Sequence, residues 1–479
     1  SETIAPLLKE ASVDERHYLE KLRVMAPYTL SEKEENVLSI KSNTGIHAFG
    51  RLFSEIMNRI TYTIEIDGKK EKKNNTEILA YQHNSDRTLR KKSTLSLAKG
   101  LHQNTHSLVY IYNMIMADLR SSLKLRRYQN PMDAMNLANE ITLKSVENLI
   151  HNVKDAYPIA WRYYKIKKKL LGLDKLFEYD RYAPIQTNKE KIDFNSCKDI
   201  VLSGYYAFSN EAGQIAQKFF DQKWIDAQVR DGKQGGAFCA QTIPELHPYI
   251  LVNYTGSMRD VMTVAHELGH GLHQYLAGKK VGVLESDAPL TMAETASVFG
   301  EMLIFEEIIK NETNPKKKLG LLCGKIDDNF ATVFRQIAMT DFEIMCHTEG
   351  LKSGELSEDT INGFWMKANK AFYGNSVTLT KHYRHGWKYI PHFIHSPFYC
   401  YAYAFAQLFV LSLYQQYKAD KSAFIPKYLE MLSLGGARKP EVLASIVGLN
   451  IQDPEFWQSG LALLNDLVKE AEDIAATIV

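Results

Sequence analysis

Apolar residues recur at intervals of three and four along most of the chain, and this pattern predicts a mainly α-helical fold. The segment 257–278 is the clearest example. Its apolar stripe consists of Val261, Val264, Leu268, Leu272 and Leu276. Ser257 has the side chain of an N-cap residue, and Gly278 suits the end of a helix. We therefore predict an amphipathic helix from Ser257 to Gly278.

The same periodicity predicts further helices along the second half of the chain. We place them at 198–231, 292–309, 319–347 and 398–414, the last of them apolar enough to be buried. By contrast, glycines are spread through 351–389 among tyrosines, histidines and lysines. That composition indicates either a mobile loop over a cleft or a static surface loop.

Two regions follow the alternation that is typical of strands. Residues 60–66 are rich in β-branched side chains and lead into Asp67-Gly68, which predicts a short hairpin. Residues 236–241 and 249–254 follow a glycine-rich break and are predicted to form two short strands. The sequence therefore indicates a mainly α fold with a small β-sheet near the helix at 257–278.

Between Tyr179 and Asn195 the composition shifts to tyrosine, proline and turn-forming residues. We place the main boundary there. Residues 1–185 are predicted to form an N-terminal helical lobe that includes the hairpin. Residues 186–479 are predicted to form a second lobe, which contains the candidate chemistry described next.

Charge and cysteine content exclude several classes of protein. The chain of 479 residues carries 58 Lys and Arg against 56 Asp and Glu, and its basic runs are spread over different predicted helices. This distribution favours solvated helix faces over a nucleic-acid surface.

The five cysteines lack CxxC spacing, which indicates a reducing, cytoplasmic location. The apolar segment 398–414 is too short for a membrane span. Nothing in the sequence favours a particular oligomeric state.

The predicted helix at 257–278 contains the sequence His266-Glu-Leu-Gly-His270. Residues four apart lie on one face of a helix, so both imidazoles can bind one ion. Glu267 lies about 100° further round the helix, beside such an ion. From there its carboxylate can accept a proton from metal-bound water. The pattern predicts a zinc site with Glu267 as the general base.

Catalytic zinc needs a third protein ligand. His273 lies on nearly the same face as His266, but the two are separated by about 10 Å along the helix axis, too far for one ion. Glu294, which opens the next helical segment, is the better candidate, although it also fits a capping box with Thr291. Glu301 is either a fallback ligand or a partner of a ligand. His273 is expected to be such a partner.

Several segments of the chain resemble the oligoendopeptidase F branch of the thimet oligopeptidase-like metallopeptidases. HELGHGLHQ at 266–274 followed by AETAS at 293–297 carries the resemblance, and the segments 170–185, 247–270 and 390–406 extend it. The resemblance implies a two-lobed helical metallopeptidase with a deep substrate channel and Zn²⁺ as cofactor. Relatives have a further helical segment before the point where this sequence starts, so we expect a processed, truncated or incomplete polypeptide.

The resemblance also implies residues that contact the substrate. His392 and Tyr401 match the substrate-contacting His and Tyr of the family, and Tyr399 is expected near the site. Hydrogen-bond donors of this kind stabilise the negative charge that develops on a carbonyl oxygen under attack. Core positions are expected for Phe398, Tyr403 and Phe405.

The first predicted strand is a further candidate for substrate binding. By resemblance, Gly236, Ala237 and Phe238 form an edge that pairs with the backbone of an extended peptide. The alternative is that the glycines here form an ordinary turn.

These observations predict a zinc-dependent endopeptidase that hydrolyses internal bonds of short unstructured oligopeptides. One alternative keeps the fold and the metal but acts as an exopeptidase, either a carboxypeptidase or a dipeptidyl carboxypeptidase. Another is a non-catalytic helical scaffold that binds peptides or nucleic acid. We expect oligopeptides as partners, with neither nucleic acid nor a membrane.

Overall fold

The computed structural model describes residues 4–186 and 191–478, and most of them are helical. The α-helices are, in chain order, α1 Ile4–Glu10, α2 Val13–Met25, α3 Glu32–Ser42, α4 Ile46–Arg59, α5 Asn75–Ala80, α6 Arg87–Gln103, α7 Thr105–Arg126, α8 Asp133–Ala138, α9 Leu143–Asp155, α10 Tyr157–Leu170, α11 Phe194–Phe208, α12 Asn210–Asp221, α13 Met258–Lys280, α14 Leu290–Ala293, α15 Thr295–Asn311, α16 Pro315–Thr332, α17 Phe334–Ser353, α18 Glu358–Tyr373, α19 His392–His395, α20 Cys400–Ala419, α21 Lys421–Ser433, α22 Pro440–Ile446 and α23 Pro454–Ile478. Short 3₁₀ helices span Ala26–Tyr28, Tyr81–His83, Glu178–Asp180 and Lys381–Tyr389.

The predicted hairpin consists of β1 Tyr62–Ile66 and β2 Lys69–Lys73, which pair antiparallel. Its turn uses the two predicted residues, Asp67 and Gly68, both with positive φ. The β1 side chains alternate between buried and exposed up to Glu65, which explains why the sequence alternates there.

A second sheet, of three short strands, lies beside α13. Its order is β3 Ile225–Asp226, β5 Tyr249–Leu251 and β4 Phe238–Ala240, so β4 is an edge strand. The two predicted strands are confirmed. The helix predicted at 198–231 is wrong at its C-terminal end, because Lys223 adopts a φ of 58° that no helix continues.

Helix α13 begins where the sequence predicted it. Ser257 and Asp260 form a capping box, in which the Ser257 side chain accepts a bond from the Asp260 amide. The helix continues two residues past Gly278 to Lys280, so the predicted end is wrong. Gly278 instead makes room for a neighbouring segment, since a Cβ atom there would lie 2.6 Å from Nε2 of Gln241.

The stretch 351–389 is largely helical, and both loop interpretations of it are wrong. It comprises α18 and the 3₁₀ helix at Lys381–Tyr389. Two buried tryptophans fix it: Trp365 donates its ring N–H to the carbonyl of Tyr383, and Trp387 donates to Asn362. Similarly, the single helix predicted at 319–347 is two helices, because Val333, with a ψ of −70°, separates α16 from α17.

One continuous apolar core connects the first and second parts of the chain. Helix α23 packs against α9 and α10 as well as against α16 and α20. The division at 185/186 therefore stays a prediction. Helix α20 is buried along most of its length, as the sequence indicated. Among the described residues, none of the helices combines the length and the apolar character that a membrane crossing needs.

Candidate active site

Helix α13, which carries the predicted zinc motif, packs tightly against α15. Gly269, in the middle of the motif, lies at the contact between the two helices. A Cβ atom at this position would lie 2.3 Å from the carbonyl oxygen of Ala296, so only glycine permits the approach. The approach brings the imidazoles of α13 next to carboxylates at the start of α15.

The two histidines of the motif and Glu294 converge on one point. Oε2 of Glu294 lies 3.3 Å from Nε2 of His266 and 3.5 Å from Nε2 of His270. The three donor atoms all lie within 4.8 Å of one another. Tetrahedral ligands that are about 2.0 Å from a zinc ion are about 3.3 Å apart. The residues therefore fit a zinc ion.

Glu294 occupies the junction between α14 and α15, and it takes no part in a capping box. The hydroxyl of Thr291 has no hydrogen-bond partner among the described residues. The hydroxyl of Ser297 donates instead to Oε2 of Glu294 at 2.6 Å. The capping-box interpretation is therefore wrong, and the bond from Ser297 orients the carboxylate towards the histidines.

Glu301 is a partner of a candidate ligand. Its Oε1 lies 2.7 Å from Nδ1 of His266, and its Oε2 accepts a bond from Nζ of Lys325 at 2.8 Å. Burial opposes ionisation of Glu301, but Lys325 and His266 outweigh it and hold the pKa at about 2. An ionised carboxylate on Nδ1 fixes the imidazole so that Nε2 faces the ligand position.

Glu267 and His273 of α13 lie outside the group of three candidate ligands. Glu267 is 5% exposed, and its Oε2 has no hydrogen-bond partner among the described residues. Burial raises the pKa of Glu267 to about 7, a value suited to proton transfer near neutral pH. His273 is buried outside the group of three, and burial lowers its pKa to about 4.

A cavity of about 540 Å³ opens beside the candidate ligands. His266, Glu267 and Glu294 form one wall. The other wall belongs to the start of α20, where Tyr399 and Tyr403 face the cavity. Tyr399 therefore lies where the sequence expectation placed it.

Tyr401, however, does not reach this cavity. It is 0% exposed, and its hydroxyl donates to Oδ1 of Asn136 at 2.7 Å and accepts from Nδ2 of Asn139 at 3.1 Å. Two residues along a helix turn the side chain through about 200°, so Tyr401 points away from the face of Tyr399 and Tyr403. The expectation that Tyr401 faces the site and Tyr403 the core is wrong.

His392 is connected to the same cavity through Tyr403. Its Nε2 lies 3.0 Å from the Tyr403 hydroxyl, and its ring stacks on Tyr399 with the centroids 5.7 Å apart. Burial and the charge of Arg335 lower the pKa of His392. A neutral imidazole can therefore orient the hydroxyl of Tyr403.

The predicted substrate strand is only partly a strand. Phe238 opens β4 and is 38% exposed, whereas Gly236 and Ala237 precede the strand. Gly236 has a φ of 87° and its carbonyl accepts a bond from Nδ2 of Asn253. No other strand within 4–186 and 191–478 pairs with the outer edge of β4.

Two residues of the site were not anticipated from the sequence, namely Ser297 and Lys325. Ser297 closes the AETAS segment that carries the resemblance, three residues after Glu294, but nothing in the sequence assigned it a role. Lys325 stands in no recognisable motif and acts on a carboxylate of the preceding helix. The role of Tyr403 did have a signal in the sequence, because a four-residue spacing from Tyr399 predicts one shared helix face.

Comparison with known proteins identifies the family. A sequence profile described as peptidase family M3 matches residues 80–463, and one described as oligopeptidase F matches residues 1–62. The chain belongs to peptidase family M3. An oligoendopeptidase F homolog from Borreliella burgdorferi is 30% identical over 470 residues, covering 96% of this chain and 78% of the relative. The oligoendopeptidase F resemblance is thus confirmed, and family membership makes the chain an oligopeptidase.

Solved structures of similar proteins agree with this membership. A crystal structure of a peptidase from Chlamydophila abortus superimposes with a TM-score of 0.90 at 26% identity, covering 98% of this chain and 81% of the other. Oligoendopeptidase-F from Enterococcus faecium has a TM-score of 0.78 at 21% identity, with 98% and 79% covered. The mainly helical M3 fold with its small sheet is therefore confirmed.

Proposed function

We propose that this M3 family member is a zinc-dependent endopeptidase that hydrolyses internal bonds of short unstructured oligopeptides. The observation that carries the proposal is the convergence of His266, His270 and Glu294 on one point at the wall of a cavity. Glu267 lies on the same wall and has a carboxylate oxygen free of protein partners. A metal-activated water and a general base are the two elements that amide hydrolysis requires.

A zinc ion held by the three ligands would supply Lewis-acid chemistry, acidifying a water molecule and polarising the substrate carbonyl. Glu267 accepts the proton of the attacking water and passes it to the nitrogen of the leaving amine. Its pKa of about 7 suits both transfers, since the carboxylate must be protonated and deprotonated in each cycle. Glu301 keeps the imidazole of His266 in the orientation that this arrangement needs.

The oxyanion donor in this proposal is Tyr403. Tyr403 lines the same cavity as His266 and Glu294, and its hydroxyl lies 3.0 Å from Nε2 of His392. In this arrangement a neutral His392 donates its Nε2–H to the hydroxyl oxygen of Tyr403, which leaves the hydroxyl proton for the carbonyl oxygen as it becomes negative. Tyr399 adds a second aromatic surface beside it.

The edge of β4 is the proposed substrate strand. Phe238 and the preceding Gly236 and Ala237 offer backbone groups that an extended peptide can pair with, whatever its side chains. Glycine at 236 keeps the approach open, since nothing lies within 4 Å of the position a Cβ atom would take. Recognition through the backbone agrees with an oligopeptidase of broad sequence tolerance.

A blocked fluorogenic oligopeptide tests the function directly. We expect cleavage at an internal bond, loss of cleavage with a chelator, and recovery on addition of zinc. Because both ends of the peptide are blocked, cleavage excludes an exopeptidase that needs a free terminus. Chelator-resistant cleavage would contradict the zinc proposal. We also propose a cytoplasmic location, supported by five cysteines that are all free thiols.

A further inference from the structure

A second cavity adjoins the one beside the candidate ligands. Its volume is about 620 Å³, and it shares Asp328 and Ala331 of α16 with the first cavity. His392, which contacts the cavity-facing Tyr403, also lines it. The two cavities therefore form adjacent parts of one surface that a bound peptide can follow.

Two guanidinium groups line this second cavity without an acidic partner. Arg181 is 5% exposed, and its side chain donates a long hydrogen bond to Oε1 of Gln82 at 3.4 Å. Its guanidinium lies over the ring of Tyr182, 4.6 Å from the centroid. Arg335 donates to the hydroxyl of Tyr389 at 3.2 Å. The Nε atoms of both arginines are buried without a hydrogen-bond partner in the described residues. Neither Arg181 nor Arg335 forms an ion pair with any residue in 4–186 or 191–478.

Two acidic residues, Asp327 and Asp328, line the cavity, and each has a lysine as a neighbour. Asp327 pairs with Nζ of the fully buried Lys167. Burial raises the pKa of Asp328, although Lys325 opposes the shift. Two guanidinium groups thus lie in a partly desolvated space without an ion pair among the described residues, although Arg181 contacts the ring of Tyr182. Such an arrangement is unfavourable unless a ligand supplies negative charge.

Other side chains on the wall respond to the same positive potential. Burial alone would raise the pKa of Tyr182, yet Arg335 and Arg181 lower it below the usual value. Burial lowers the pKa of His83, and Arg181 lowers it further. His392 shows the corresponding shift from burial and Arg335. All three groups experience a net positive field in this cavity.

We propose that the cavity is a carboxylate-binding subsite, in which Arg181 and Arg335 bind a carboxylate of the peptide substrate. The proposal rests on the proposed function, since it needs a peptide whose scissile bond lies at the candidate metal centre. A planar guanidinium matches a carboxylate with two parallel hydrogen bonds, and both arginines line the cavity. The carboxylate belongs either to the peptide C-terminus or to an Asp or Glu side chain.

The test compares peptides that differ only in one carboxylate. One pair has a free or an amidated C-terminus, and a second pair, amidated throughout, has Glu or Gln at a single position. We expect the acid of at least one pair to have a kcat/KM at least about tenfold higher than its neutral partner. Preference in the first pair identifies the terminal carboxylate, and preference in the second identifies the side chain. Equal values in both pairs would overturn the proposal.

Variants connect any preference to the two arginines. Arg335→Gln and Arg181→Gln are expected to reduce the ratio of acid to neutral kcat/KM towards one. Arg335→Lys keeps the charge and is expected to retain part of the ratio. Arg384→Gln removes an exposed arginine that does not line the cavity and is the matched control. A ratio that survives both Gln variants would contradict the assignment.

Binding to the Glu267→Gln protein separates this proposal from the proposed function. Fluorescence anisotropy of labelled peptides measures Kd without turnover, so it applies even if no peptide is cleaved. We expect the acid peptide to bind at least about tenfold tighter than its neutral partner. If the unmodified protein cleaves no peptide but the Glu267→Gln protein still binds the acid peptide more tightly, only the peptidase mechanism is contradicted. Equal Kd values together with normal cleavage contradict the carboxylate subsite alone.

Discussion

Among the residues that the structure describes, two groups consist of two histidines and one glutamate whose donor atoms lie within 4.8 Å of one another. The first is His266, His270 and Glu294. The second, which we call the Lys388 cluster, is His102, Glu358 and His385 together with Lys388. By ligand type and distance the two groups are alike, but their surroundings give them different chemistry.

The Lys388 cluster already contains its cation. Nζ of Lys388 lies 2.8 Å from Oε1 of Glu358 and 3.0 Å from Nδ1 of His385, and the lysine is 1% exposed. In the first group no ammonium from residues 4–186 or 191–478 contacts the donor atoms. Lys325 contacts Glu301, which in turn contacts His266, so the lysine acts on the group through one intervening residue. A cluster of suitable side chains is therefore a candidate metal site only if no resident cation contacts its donor atoms and other side chains orient its ligands.

The largest expected effect concerns Glu267, the proposed general base beside the first group. Glu267→Gln should keep the metal but lower kcat by roughly 10²–10⁴-fold, because the amide cannot accept the proton of the attacking water. Steady-state kinetics on a blocked peptide, together with metal analysis, measures both quantities. Glu358→Gln, in the Lys388 cluster, is the matched control and should leave kcat close to that of the unmodified protein. Near-normal turnover of Glu267→Gln would remove this residue from the mechanism.

Metal content distinguishes the two groups next. Glu294→Ala should lose most bound zinc after dialysis, because two histidines alone hold the ion weakly. Glu301→Gln should weaken zinc affinity by roughly 10–100-fold, since the partner of His266 loses its charge. Glu358→Ala should bind as much zinc as the unmodified protein. Elemental analysis measures the zinc content of each variant. If only Glu358→Ala lost zinc, the Lys388 cluster would be the metal site and the first group would not.

The two tyrosines of α20 provide a third contrast. Tyr403→Phe should lower kcat by roughly 10²-fold with little change in KM, because an oxyanion donor acts in the transition state. Tyr401→Phe should leave kcat unchanged. It should instead lower the free energy of unfolding by about 1–3 kcal/mol, since Asn136 and Asn139 lose a buried partner. The opposite pattern would restore Tyr401 as the donor.

How far the sequence predicts this site depends on how local each signal is. His266, Glu267 and His270 lie on one helix, so their spacing alone specifies their common location. Glu294 required the general rule that catalytic zinc needs a third ligand. These signals involve short sequence separations or firm chemical constraints.

Contacts between distant segments were not predictable in the same way. Lys325 of α16 acts on Glu301 of α15, and Arg181 and Arg335 line one cavity, only because separate elements of the chain pack together. Nothing in local spacing encodes such contacts. The error at Tyr401 has another origin. A family match was carried over by residue type, although the helical repeat from Tyr399 already favoured Tyr403. The helices at 351–389 were missed because their buried tryptophans are surrounded by glycines and polar residues.

The smallest expected effect is a pH dependence of stability that comes from His385 in the Lys388 cluster. Burial and the neighbouring ammonium of Lys388 lower the pKa of His385 to about 4, whereas an unfolded histidine has a pKa of about 6.5. The unfolded chain therefore binds the extra proton first, and stability falls as the pH drops from about 6.5 to about 4. His385→Gln should lose this part of the pH dependence.

Solvent screening limits the difference in the free energy of unfolding to the order of 1 kcal/mol between pH 7 and pH 5. Urea unfolding measures it, with His151→Gln, whose side chain is 77% exposed, as the control. If His385→Gln kept the full pH dependence, the histidine would be free to protonate in the folded state, and the Lys388 cluster could no longer be distinguished from a metal site by its resident cation.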